Sequence, residues 1–317
     1  MSKNLGRIKK TASVATPLEQ QLDLGLHEPE QQEEQILSFR DLGLQKKYST
    51  YRDNPYTEFY LPVLGHAVQY DRKSGHFSSA NLSRVAQGLE LLLDHPGKMR
   101  LLMSYPFNDR DYREIVGAYK QYHGSRAAKK STKSSQEETL DETCLDTAQA
   151  LLVENLLKTL QEPENSFQED QLKILGLLVK QNRLDIRIAI PVSPDGFLNP
   201  SYDQFHEKVG IFTDGVGNKI AFNGSNNEAL AGWERNLESF HVFCNWKRGD
   251  QERVQTEVKD FEEMWTNKLY EIVLVLELPD AVCQRLMAYA ETPPEPPEPL
   301  LESPPRRSMR QVHKMVR

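Results

Sequence analysis

Three short groups of polar residues between positions 205 and 238 carry the side chains needed to act on a phosphate ester. The first group contains His206 and Lys208, the second is Gly-Ser-x-Asn at 224–227, and the third is Asn-x-Glu at 236–238. A neutral imidazole is a competent nucleophile toward a phosphodiester once the phosphate charge is neutralised and the ring is correctly oriented. The segment therefore predicts a site for phosphoryl chemistry that needs no metal ion.

The sequence between the first two groups predicts a β-hairpin. Two apolar runs, 209–213 and 219–223, flank a turn signal rich in Asp, Gly and Asn that is centred on Val216. A turn with this centre places Lys208 opposite Gly224 across the strand pair.

His206 and Lys208 lie two residues apart on the first strand of this hairpin, so their side chains project from one face. That face overlooks residues 225–227, where we expect the second strand to give way to a helix. A helix N-terminus offers unpaired N–H groups and a partial positive charge, and Lys208 adds a full charge. The hairpin thus predicts a phosphate-binding site beside an imidazole.

The remaining polar residues complete this hypothetical site. Glu238 can accept the proton on the far ring nitrogen of His206 and so fix its tautomer. The expected catalytic residues are His206, Lys208, Ser225, Asn227 and Glu238. The expected phosphate-binding residues are Lys208, Gly224, Ser225, Asn227 and Asn236. Neither a metal ion nor another cofactor is expected.

Together, the three groups resemble the signature of the phospholipase D superfamily, which is His-x-Lys, a short run to an Asp, Gly-Ser-x-Asn and a downstream Asn-x-Glu. Residues 70–105 are similar to the opening strand, helix and strand of that fold, and 184–188 to the strand before the signature. The arrangement most resembles phospholipase D-like domains at the N-terminus of bacterial helicases, several of them in anti-phage or restriction systems. The resemblance implies attack by His206 to give a phosphohistidine that is later hydrolysed.

Two features depart from the family pattern. The Asp that follows the Lys in the family, where its role is mainly structural, is replaced by Thr213, and Asp214 lies one place later. Complete sites in the superfamily use two signatures, with one histidine as nucleophile and the other as general acid, whereas this chain has a single His-x-Lys. A working enzyme therefore implies a two-fold homodimer that brings two copies of His206 to one site.

The pattern along the chain predicts an α/β fold, a phospholipase D-like mixed sheet flanked by helices, with a helical insertion. Strands near 68–70 and 98–105 flank an amphipathic helix that we expect Asn81 to cap, which makes a βαβ unit. The expected segments are a mostly disordered 1–50, a phospholipase D-like domain at 51–291 with the helical insertion at about 107–183, and a Pro/Glu-rich linker with a basic tail at 292–317.

Composition narrows the functional class. The 317 residues carry 39 Lys and Arg against 46 Asp and Glu, and the resulting net charge of −7 argues against a broad basic surface but allows a local basic cluster. Three dispersed cysteines predict a reducing compartment and no disulfide framework. No segment approaches the length of a membrane span, so we expect a cytoplasmic protein without a membrane partner.

These observations lead to one main functional hypothesis and two alternatives. The main hypothesis is a metal-independent phosphodiesterase, a nuclease that acts on DNA rather than RNA in phage defence or restriction, with a helicase or other motor protein as its partner. The first alternative is a non-catalytic nucleic-acid-binding or assembly module for such a partner. The second is a phospholipid-modifying enzyme.

Overall fold

Eight strands form one mixed sheet in the part of the chain that the structure describes, with helices against both faces. The structure is a computed structural model that describes residues 38–129, 138–193, 207–224 and 238–291, without the side chains of 123–143. The α/β class with a mixed, helix-flanked sheet is thereby confirmed. Residues 1–37 of the predicted N-terminal segment, the predicted C-terminal segment at 292–317, and the helix expected to begin at 225 lie outside the described residues.

The strands are β1 (Lys47–Ser49), β2 (Ala67–His76), β3 (Lys98–Ser104), β4 (Leu184–Pro191), β5 (Val209–Asp214), β6 (Lys219–Gly224), β7 (Ser239–Cys244) and β8 (Val273–Glu277). The α-helices are α1 (Leu61–Leu64), α2 (Ser79–Val85), α3 (Leu91–Asp94), α4 (Asp109–Lys129), α5 (Glu138–Thr159), α6 (Ser166–Lys180), α7 (Gln251–Trp265) and α8 (Asp280–Ala288). Short 3-10 turns lie at Phe39–Leu42 and Tyr289–Glu291, and a π-helical turn at Tyr56–Tyr60 precedes α1.

The strand order across the sheet is β1-β7-β6-β5-β2-β3-β4-β8. Strands β2, β3 and β4 are parallel, as the predicted βαβ unit requires, and the other neighbours are antiparallel. The carboxyl ends of the three parallel strands therefore meet at one edge of the sheet. The folded domain was predicted to begin at residue 51, whereas the sheet already includes β1, which pairs with β7.

The predicted hairpin forms with the predicted register. Val209 pairs with Asn223, and Thr213 pairs with Lys219, which centres the turn on Val216. Asp214 organises this turn, because its Oδ1 accepts from the backbone N–H of Asn218 at 2.8 Å and its Oδ2 accepts from the Asn218 side chain at 2.8 Å. The acidic residue displaced by one place from the family pattern thus has a structural role here.

Each face of the sheet has its own apolar core. The larger core joins one face of the sheet to the π-helical turn and to helices α2, α5, α6 and α8. The smaller core joins the other face to α7 through Val254, Phe261 and Trp265. Because side chains alternate along a strand, successive residues of β2 and β5 face different cores.

Arg100 ties α7 to the sheet. Its guanidinium donates to both carboxylate oxygens of Asp71 at 2.7 Å, and it also pairs with Glu262 of α7. The same group lies 4.9 Å from the ring centroid of Phe261. This partly buried network links the sheet to α7.

One detail of the helices differs from the prediction. Helix α2 begins at Ser79, and its N-cap is Ser78, whose hydroxyl accepts from the backbone N–H of Asn81. The prediction of Asn81 as the cap is therefore wrong, since the Asn81 side chain instead donates to the carbonyl of His76 at 2.8 Å. The helical insertion is made of α4, α5 and α6, and the leucine-rich faces of α5 and α6 pack in the larger core as expected.

Gly210 is required where β5 passes under an aromatic ring. A Cβ at this position would lie 2.1 Å from Cε1 of Phe222, whose ring is fully buried. That ring cannot move aside, because Phe59, Phe212 and Phe240 surround it at centroid distances of 5.6, 5.9 and 5.5 Å.

We therefore expect Gly210→Ala to lower the free energy of unfolding by about 3 kcal/mol, because overpacking strains a core that cannot rearrange. Denaturant titration measures this change. Gly117→Ala is the matched control, since a Cβ there meets nothing within 4 Å and alanine favours the helix. Equal stability of the two variants would contradict the prediction.

Candidate active site

The candidate site lies at the sheet edge where the parallel strands β2, β3 and β4 end. Lys208 immediately precedes β5, and the next residue, Val209, pairs with Lys73 near the carboxyl end of β2. Open α/β sheets bind ligands outside the carboxyl ends of their parallel strands. The edge that carries Lys208 is thus the expected location for a ligand.

The structure brings together Lys208, Gly224 and Glu238, which come from three separate parts of the sequence. Lys208 lies just before β5, Gly224 ends β6, and Glu238 lies just before β7. Gly224 pairs with Phe240, and the hairpin register continues to Lys208 on the other side. All three residues therefore lie at the same edge of three adjacent strands.

Lys208 is a buried cation, with 8% of its surface exposed. Burial lowers its pKa below the usual lysine value, and the nearby charge of Arg72 lowers it further, while Glu238 acts in the opposite direction. Loss of hydration disfavours the ammonium form, so an anionic ligand beside Lys208 would restore favourable interactions. This is the electrostatic behaviour expected of a phosphate-binding lysine.

Glu238 is anchored through its backbone to the segment that follows β1. Its N–H donates to the Thr50 hydroxyl at 3.0 Å, and its carbonyl accepts from the Thr50 N–H at 3.1 Å. Its side-chain Oε2 is buried and has no hydrogen-bond partner among the described residues. A buried carboxylate oxygen with remaining acceptor capacity suits the predicted task of orienting an imidazole.

Gly224 has a packing function that sequence reasoning missed. A Cβ on Gly224 would lie 2.5 Å from both the Phe240 Cβ and the Ser239 carbonyl oxygen. Glycine at this position is what allows β6 and β7 to approach each other at the edge of the site. Its predicted contact with phosphate remains a prediction.

Four predicted site residues lie outside the described residues. They are His206, Ser225, Asn227 and Asn236. Their roles stay predictions that rest on the sequence.

Arg72 is a charged residue near the site that sequence reasoning did not select. It is completely buried on β2, opposite Gly210 of β5, and its guanidinium lies 5.0 Å from the ring centroid of Phe222. Its charge acts on Lys208. The sequence feature that could have indicated Arg72 is the run Asp-Arg-Lys at 71–73 inside a strand. Charged residues are seldom buried in a strand without a specific partner or function.

His76 lies at the same edge, at the end of β2. Its Nδ1 is 2.7 Å from the Ser104 hydroxyl at the end of β3. His76 is not among the predicted site residues. This contact links the ends of β2 and β3 and gives His76 a structural role.

The described residues were also searched for metal sites and for membrane-spanning helices. Within them, no group of three or more His, Cys, Asp or Glu side chains has a geometry suited to a metal ion. None of the described helices is long and apolar enough to cross a membrane.

NucT and a phosphatidylserine synthase are among the solved structures that are similar to this chain. No protein-family model matches this chain, and no curated protein matches it. NucT from Helicobacter pylori is 12% identical with a TM-score of 0.39, over 73% of this chain and 97% of that chain. A phosphatidylserine synthase of Haemophilus influenzae Rd KW20 is 11% identical with a TM-score of 0.33, over 74% of this chain and 42% of the synthase. At this degree of similarity, the chemistry has to be argued from the chain's own residues.

Proposed function

We propose that this protein is a phosphodiesterase of the phospholipase D type that needs no metal ion and acts on nucleic acid, DNA rather than RNA. The observation that carries the proposal is the meeting of Lys208, Gly224 and Glu238 at one sheet edge. The three residues belong to the three groups of the phospholipase D-like signature, and the hairpin has the register that the signature predicts.

The reaction has two displacement steps. A ring nitrogen of His206 attacks phosphorus, and an N–P bond forms as the bond to the leaving oxygen breaks. A second imidazole donates a proton to that oxygen. Water then attacks the phosphohistidine, the second imidazole takes up the proton of the water, and the N–P bond breaks to regenerate His206.

The surrounding residues lower the barrier to both steps. Lys208 carries a full charge next to the non-bridging oxygens, and Ser225 and Asn227 donate hydrogen bonds to them. Glu238 holds His206 in the tautomer that leaves the attacking nitrogen unprotonated. Asn236 supports the phosphate.

A homodimer supplies the second imidazole. The chain contains a single His-x-Lys, so the general acid is His206 of a second copy, related to the first by two-fold symmetry. One site per dimer then contains two copies of the signature.

The resemblance to helicase-linked domains extends the proposal to a biological setting. In that setting the nuclease works with a helicase or other motor protein in phage defence or restriction, in the cytoplasm. This part of the proposal is supported by the resemblance and by the dispersed cysteines.

We expect hydrolysis of bis-nitrophenyl phosphate and of a fluorescent DNA oligonucleotide to continue in an excess of EDTA, since no step uses a metal ion. When the reaction on a radiolabelled phosphodiester is stopped during turnover, the protein should carry covalently bound phosphate. This bond should be stable in alkali and hydrolysed in acid, as a phosphoramidate is. Loss of turnover in EDTA would contradict the proposal. DNA binding without turnover in any buffer would instead support a non-catalytic binding module.

A further inference from the structure

Lys73 is a buried cation whose contacts point to the predicted signature. It lies on β2 with 1% of its surface exposed, and its ammonium forms an ion pair with the carboxylate of Glu207. The next carboxylate, Glu257 of α7, lies at 3.8 Å. Glu207 is the residue between His206 and Lys208.

This ion pair lies where the backbone ladder ends. Lys73 pairs with Val209, and this is the last pair between β2 and β5 toward the site. Glu207 and Lys208 lie beyond it, so their side-chain directions depend on contacts other than ladder hydrogen bonds. The pair with Lys73 is such a contact, and it lies on the α7 face of the sheet, because Val209 packs in the smaller core.

The opposite face receives Lys208. Residues 207 and 208 are consecutive, so holding Glu207 toward α7 directs Lys208 toward the face of Arg72 and Phe222. The effect of the Arg72 charge on Lys208 agrees with this direction. A reversal at Glu207 would turn Lys208 away from that face.

The ion pair also removes a negative charge from the site. A free carboxylate at Glu207 would repel an anionic ester bound one residue away. It would also favour the protonated form of a neighbouring imidazole, which is not nucleophilic. Lys73 neutralises that carboxylate from the buried side, where solvent screening is weak.

The buried position of Lys73 is not explained by packing alone. An apolar side chain of similar length would fill the same space without the cost of removing an ammonium group from water. By contrast, the ion pairs of Arg100 on the same face are with Asp71 and Glu262, and they link the sheet to α7.

We propose that Lys73 is a positioning residue of the active site, and that its ion pair with Glu207 holds Lys208 on the phosphate face and neutralises the carboxylate next to it. The inference rests on the proposed function. It adds a residue that lies more than a hundred positions before the signature in sequence.

Lys73→Met tests the proposal, and Arg100→Met is its matched control, since it removes a partly buried cation and an α7 contact on the same face without touching the signature. We expect Lys73→Met to lower kcat about 10²-fold, because small misplacements of catalytic groups cost rates of this size. The acid limb of its pH–rate profile should move to higher pH. Arg100→Met should lower the unfolding midpoint while keeping the wild-type pH profile.

Glu207→Gln in the Lys73→Met background separates the two effects. Removing the free carboxylate should return the acid limb to its wild-type position, while kcat stays low because the side chain is still not held. A simple loss of stability would not produce this partial recovery.

Hydrogen–deuterium exchange of a peptide spanning 205–210 gives a measurement that does not depend on activity. Lys73→Met should raise amide exchange there, and Arg100→Met should not. Identical exchange and pH profiles in the two variants would overturn the positioning role. If wild-type protein never forms the phosphohistidine, the proposed function fails, and the exchange result still decides whether Lys73 holds the segment.

Discussion

Replacing His206 by alanine is expected to lower phosphodiester hydrolysis by roughly 10⁵-fold, the size of loss seen when an enzyme nucleophile is removed. The covalent step has no substitute in the variant, since Lys208 is charged and already engaged with the phosphate. The measurement is the initial rate of bis-nitrophenyl phosphate hydrolysis together with trapping of the protein-bound phosphate. His66→Ala is the control, because His66 precedes β2 at the end remote from the site, where its ring Nδ1 lies 2.8 Å from the Pro62 carbonyl oxygen.

Mixing wild-type and His206→Ala chains tests the shared site. If one active site needs His206 from both copies, activity should fall with the square of the wild-type fraction once subunits have exchanged. A monomeric enzyme, or a dimer with two independent sites, would show a linear decrease. Full activity of the alanine variant would remove His206 from the mechanism altogether.

Lys208→Met is expected to lower kcat about 10³-fold, in line with the loss of one preorganised group that stabilises transition-state charge. The same change should raise the free energy of unfolding by about 1 kcal/mol, because function keeps a cation at a buried position that an apolar chain fills at lower cost. Rate measurements and denaturant titration on one preparation check both effects. A variant that is inactive because it is unfolded would contradict the second expectation.

The gain in stability should depend on pH in a defined direction. The pKa of Lys208 is lowered in the folded protein, so the unfolded chain binds more protons between that lowered value and the ordinary lysine value. Wild-type stability therefore rises with pH through this window, and the advantage of Lys208→Met narrows. Lys219→Met, at the far end of the hairpin where Lys219 donates to Thr213, should not show the rate loss.

The hairpin could be predicted in detail because its determinants are local. Turn chemistry around Val216 and the alternation of apolar residues are enough to align Val209 with Asn223. The helices of the insertion and the parallel pair β2 and β3 were also accessible, since each has its own periodicity in the sequence.

The residues that surround the site could not be predicted from the sequence in the same way. Arg72 and Lys73 are adjacent in sequence, yet one faces Phe222 and Lys208, and the other binds Glu207 and faces α7. Which strand lies beside β2, and which helix covers each face, depends on pairing between segments far apart in the chain. A pattern of charges within one strand does not contain that information.

Residue types and spacing alone determine the hairpin and the α/β class and predict the phosphoryl chemistry. The reason is that a candidate nucleophile, its counter-charges and a tight turn are encoded within a few neighbouring residues. The role of Gly224 in strand approach, the burial of Arg72 and the contact between Lys73 and Glu207 emerge only on folding. These features depend on non-local strand pairing, which decides the distances and the loss of solvent that give each charge its strength.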